Sequence, residues 1–112
     1  MSNKHKISLA EAKAMTRKYR SELPHILAGK YAGTNALLHH ATIDRSAIDE
    51  ILRQPGCVSL RIHLGMNTQG EVTPIFVGVD ADGVEMLANE ILMDDAKKCP
   101  PFCEPISTLQ DD

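Results

Sequence analysis

The sequence is poor in aromatic residues, with no tryptophan, two tyrosines and two phenylalanines. Any core must therefore be built mainly from aliphatic side chains. It also lacks a long apolar run. The longest stretch, around Val72 to Val79, is far short of the ~20 residues that cross a bilayer, so no membrane partner is expected. Lys4 and Lys6 are followed by a polar helix signal instead of an apolar segment, so no secretory leader is expected. A cytoplasmic location follows as the expectation. In that reducing compartment Cys57, Cys99 and Cys103 should not form a stable disulfide.

What is present fits one small domain. The 112 residues are 43% hydrophobic and 24% charged, close to the globular average. A chain of this length hides roughly two-thirds of its unfolded surface on folding. The expected organisation is a single domain over 1–112, with a flexible N-terminus at 1–6 and an extended Pro/Cys tail at 99–112. The net charge of −3 is unevenly spread. Residues 1–35 carry seven bases and two acids, whereas residues 57–112 carry three bases and ten acids. This acidic balance argues against nucleic acid as a partner, which usually needs a dominant basic surface.

Ser8-Leu9-Ala10-Glu11 reads as a capping box. Leu9, Ala12, Met15, Tyr19 and Leu23 recur at helical spacing, which predicts a helix with that stripe buried and Pro24 as its stop. Lys13, Arg17 and Arg20 lie beside the stripe on adjacent turns. They are expected to be mainly exposed and form a candidate site for an anionic ligand. Residues Pro24 to Asn35 read as a loop or a short helical turn, and Ala36 to Thr42 as a strand or a helix. Asp44 is placed to cap a second helix, with Ile43 and Ile48 as a hydrophobic staple. Ala47, Ile48, Ile51 and Leu52 form its expected buried stripe, and Pro55-Gly56 ends it.

Cys57 to Leu64 is the strongest strand. Val58, Leu60, Ile62 and Leu64 alternate with Cys57, Ser59, Arg61 and His63, predicting one buried and one polar face. Val72 to Val79 returns as its hairpin partner, apolar on both faces, although Pro74 counts against a central position. Asp80-Ala81-Asp82-Gly83 is a turn. Residues 84–93 fit either a helix or two short strands. Beyond Lys98, the prolines exclude a helix or an inner strand, and Phe102 and Ile106 are expected to pack the tail down. The architecture expected is α+β, a small antiparallel sheet with two helices packed on one face.

Glu11-Ala12 with Tyr19-Arg20, Gln54-Pro55-Gly56-Cys57, Arg61-Ile62, Val77-Gly78-Val79-Asp80 with Gly83, and Cys99-Pro100-Pro101-Phe102-Cys103 together resemble a family of small hypothetical bacterial proteins. The Pro-Gly-Cys strand entry and the Cys-Pro-Pro-aromatic-Cys tail carry most of the likeness. That resemblance implies one cytoplasmic domain and transfers no activity.

Chemical motifs are few. Gly29-Lys30 lacks the earlier glycine and following Ser or Thr of a phosphate loop. Asp80-Ala81-Asp82-Gly83 places its glycine too early for a calcium loop. Six residues of strand separate Cys57 from His63 by about 20 Å, too far for a thiol–base pair. Ser59, Arg61 and His63 share one face and form a candidate ligand-binding row. Cys99 and Cys103, spaced C-x3-C, are candidates for a zinc half-site completed by Cys57 or a histidine, or for a reversible disulfide. Against these stands a reduced tail that packs as a clamp, and no cofactor is predicted. The leading reading is a noncatalytic binding or accessory module for a protein or a small anionic ligand. A metal-binding or redox-responsive cysteine protein is the alternative. A small enzyme working over Arg61 and His63 is the third.

Overall fold

The computed structural model describes residues 4–94, 96–103 and 108–110. Its elements, in chain order, are α1 (Leu9–Ile26), a 3-10 turn at Gly29–Tyr31, β1 (His40–Thr42) and α2 (Arg45–Leu52). They continue with β2 (Cys57–Met66), β3 (Val72–Asp80), β4 (Leu92–Met93), β5 (Lys97–Cys99) and a final 3-10 turn at Thr108–Gln110. The class is α+β, with antiparallel strands divided between a two-stranded sheet, β1-β5, and a three-stranded sheet, β2-β3-β4. No helix among the described residues is long and apolar enough to cross a membrane.

The capping box of α1 is present in full. Ser8 Oγ accepts from the Glu11 amide at 3.0 Å, and Glu11 Oε1 accepts from the Ser8 amide at 3.3 Å. Pro24 does not stop this helix, which runs on to Ile26. A proline in the final turn removes only one late hydrogen bond, and the chain leaves the helix within two residues. The expected apolar stripe is buried only at Leu23, while Leu9 and Met15 are exposed. The reason is position: α1 makes its principal packing contact with the 108–110 turn. It is also tied to the loop before β1 by Tyr19 Oη, which donates to the Leu38 carbonyl at 2.6 Å.

The helix that covers the three-stranded sheet is α2, which packs on β2, β3 and β4. Asp44 occupies its N-cap position, but the side chain makes no cap hydrogen bond. The staple pair Ile43 and Ile48 packs against the core cluster of Ile51, Phe76 and Ala96, joined by Ala41, Leu60, Ile91 and Met93. Ile51 is fully buried, whereas Leu52, expected in the stripe, is exposed.

β3 is the central strand, and Pro74 does not prevent it. Val72 donates its amide to the Ala36 carbonyl, and the Gly78 carbonyl accepts from the Met86 amide, both on the side away from β2. Pro74 shares their parity, so its missing donor also faces away from β2. There β4 reaches only Phe76 and Val77, and no ladder bond is lost. The 80–83 turn forms as expected: Asp80 Oδ1 accepts from the Asp82 and Val84 amides, and Gly83 takes a φ of +79°. Beyond it the chain is extended. A bridge of Glu85 to Val79 and the short β4 replace the helical alternative.

The tail departs from the reduced clamp. Lys97–Cys99 pairs with β1, and Cys99 and Cys103 are joined in a disulfide. The turn that brings them together is closed by the Phe102 amide on the Lys98 carbonyl at 2.8 Å and the Cys103 amide on the Pro101 carbonyl at 3.2 Å. Phe102, expected to pack, is exposed. Ile106 and residues 1–3 of the expected N-terminal tail lie outside the described residues.

Where α2 meets the hairpin, the packing leaves room only for glycine at position 78. A Cβ there would stand 2.9 Å from Cys57 Sγ, 3.0 Å from Gln54 Nε2 and 3.3 Å from Ile51 Cγ2. Gly78→Ala should therefore destabilise the fold by about 1–3 kcal/mol, the usual cost of overpacking. Adding Cys57→Ala should restore part of the loss, read from urea midpoints. Equal stability of Gly78→Ala and the parent would contradict this packing.

Candidate functional site

Two features distinguish the hairpin. The first is polar. Ser59, Arg61 and His63 face the same side of β2, opposite Val79, Val77 and Ile75 of β3. The expected row is therefore present, but it is not bare. Glu85, bridged to Val79 on the far side of β3, sends its carboxylate back to meet it. Arg61 Nη1 lies 3.3 Å from Glu85 Oε2, and His63 Nε2 contacts the same oxygen. Ser59 is outside this contact.

Sequence reasoning places Glu85 only in a cap with Asp82, for the helical alternative, and not beside Arg61 and His63. It comes from a segment 22 positions away from His63, whose helix-or-strand ambiguity hides which way the side chain points. The one usable signal was an acidic residue just past the 80–83 turn. Its carboxyl is held below the usual glutamate range, first by the hydrogen bond with His63. Desolvation opposes this, and the Arg61 hydrogen bond and the two positive charges add to it. A depressed carboxyl pKa contributes stability that is present above the unfolded-state value and lost as pH falls through the folded value.

The second feature is apolar and overturns an expectation. Val58, Ile62 and Leu64 were expected to be core together with Leu60. Only Leu60 reaches the cluster under α2; Ile62 is 56% exposed and Leu64 74%. Val58 falls at a register shift between Cys57 and Ser59 and is also exposed. Met66, beyond the expected end of the strand, continues the exposed row. It adjoins an apolar cleft of about 310 Å³ walled by Ile26, Leu27, Tyr31, Leu37 and Val72.

Main-chain parity decides which groups of this strand face its outer edge. Val72 and Gly78 turn their polar groups away from β2, so their register partners Met66 and Leu60 belong to non-hydrogen-bonded pairs. Leu60, Ile62, Leu64 and Met66 consequently direct their N–H and C=O groups to the outer edge. Among the described residues no strand pairs with that edge.

The remaining candidates are drawn elsewhere. Arg20 Nη1 donates to the Leu109 carbonyl, which also accepts from Thr16 Oγ1 at 2.8 Å. Arg20 and Lys13 are half-buried, and Arg17 is exposed. The anion-site row on α1 is thus partly engaged with the 108–110 turn instead of being mainly exposed. Cys57 is the unbridged thiol, seated beside Gly78 and Gln54. Cys99 and Cys103 bond to each other, and no three His, Cys, Asp or Glu side chains among the described residues converge as a metal site. The zinc set of Cys57, Cys99 and Cys103 is not assembled. Comparison with family models, curated protein sequences and solved structures found no match.

If His63 sets the state of Glu85, His63→Ala should raise the Glu85 carboxyl pKa toward the ordinary glutamate value in a carbon-detected NMR titration. Ser59→Ala should leave it in place. An unmoved Glu85 curve in His63→Ala would refute the assigned contact.

Proposed function

We propose that this chain is a noncatalytic docking module that binds a protein partner along the outer edge and apolar face of β2. One observation carries the reading: Ile62, Leu64 and Met66 are exposed on a strand whose outward main chain has no partner among the described residues. A long edge with apolar side chains is a template for strand addition, in which main-chain bonds give affinity and alternate side chains give specificity.

The small-anion version of the module has less support. Glu85 already balances Arg61, and Arg20 is engaged by the Leu109 carbonyl. Arg61 and His63, both exposed, share the Glu85 carboxylate, so the enzyme reading gains an orienting carboxylate. The redox reading has its own support, since Cys99 and Cys103 are bridged, which also weighs against a reducing compartment. The proposed setting is still the bacterial cytoplasm, with residues 1–112 acting as one domain and without nucleic acid as a partner. It rests on the acidic balance and the likeness to small bacterial proteins.

A photo-crosslinking amino acid at Leu64 tests the docking role in living cells. The expected result is one discrete crosslinked polypeptide that is absent with the same probe at Glu50, an exposed position on α2. Absence of any Leu64-specific product would overturn the docking role.

A further inference from the structure

We infer that the occupant of the β2 edge is a second copy of the same chain, paired antiparallel along β2 about a two-fold axis at Ile62. The inference rests on the docking reading and names its partner.

Symmetry and parity fix the register. Outward-facing residues must meet outward-facing residues, and on β2 these are Leu60, Ile62, Leu64 and Met66. An axis at Ile62 sets Ile62 against its own mate and Leu60 against Leu64 of the partner subunit, on both sides of the axis. All four main-chain groups of each such pair can then bond in the antiparallel pattern. The result is one continuous six-stranded sheet, β4-β3-β2 followed by its mirror order. A second copy meets this strand with the same residues, so the apolar positions of one edge face the apolar positions of the other by construction.

Side chains agree with that register. It gathers Leu60, Ile62 and Leu64 of both copies on one face, continuing the face that α2 leaves half covered. On the other face it sets Arg61 beside His63 of the partner subunit. Each Arg61 already holds a Glu85 carboxylate, so closing the pair does not bring uncompensated cations together. Two usual protections of an edge are missing, since residues 57–66 contain no lysine and no proline, and the register shift lies at the strand's start.

Exposure points the same way: Ile62, Leu64 and Met66 are 56%, 74% and 52% exposed in the single chain, and pairing of two β2 edges brings these apolar side chains together.

Sedimentation equilibrium of the full chain at micromolar concentration should give twice the chain mass. Leu64→Lys, at a site exposed in the single chain, should keep its circular dichroism and raise the dimer dissociation constant about tenfold or more. In a Cys57→Ser background, Ile62→Cys should form a disulfide-linked dimer on mild oxidation, and Leu64→Cys should not, because only residue 62 meets its own mate. A monomeric parent, or a dimer indifferent to Leu64→Lys and not linked through Ile62→Cys, would overturn the second-copy assignment. If that monomer still gives a Leu64-specific crosslink to a different protein, the docking reading stands while this inference falls.

Discussion

The constraint on which the rest of the structure depends is a mismatch of lengths. α2 has eight residues and so spans about 12 Å. β2 has ten residues and spans about 33 Å. One short helix therefore covers one end of the strand and leaves the other bare. The covered end shows how close the contact is: Gly78 supplies the gap into which Cys57, Gln54 and Ile51 fit. Gln54, the buried polar residue there, satisfies its amide by donating to the Ile51 carbonyl at 2.9 Å. At the uncovered end Ile62, Leu64 and Met66 remain at the surface, and their exposure is a consequence of chain length rather than of composition.

The polar face bears on the same edge. An arginine on an edge strand normally discourages strand addition, because a second strand would bring another charge beside it. Glu85 removes that obstacle by neutralising Arg61 from across β3. The extended course of residues 84–93 is what makes this reach available, since the bridge at Val79 fixes Glu85 on the face that carries Arg61 and His63. Val77 and Val79, on the same face, are buried. The cluster has the residue types of a catalytic grouping, and under the docking proposal its role is charge balance beside the β2 edge.

Local signals in the sequence were legible. The Ser8–Glu11 capping box, the 80–83 turn and the alternation of 57–64 each depend on residues a few positions apart, and each is present. Features set by distant parts of the chain were not. Periodicity identified Ile62 and Leu64 as one apolar row, but only the reach of α2 decides whether that row is covered. Likewise Leu9 and Met15 kept helical spacing, but α1 lies against the 108–110 turn and leaves them exposed. Ser59, Arg61 and His63 were correctly placed on one face, while Glu85, the partner of Arg61 and His63, came from beyond the hairpin. The cysteine tail was recognised as distinctive, with a reversible disulfide as one alternative, but the reduced clamp was preferred and the structure bridges Cys99 and Cys103.

Amide exchange along β2, followed by NMR as a function of protein concentration, tests the central claim most directly. In the single chain, the amides of Arg61 and His63 donate to β3, whereas those of Ile62 and Leu64 point outward. The account predicts alternation on dilution, with Arg61 and His63 slow and Ile62 and Leu64 fast, giving way to uniform protection as the concentration rises. Slow exchange at Ile62 and Leu64 that persists unchanged on dilution, or fast exchange at all four positions, would contradict it.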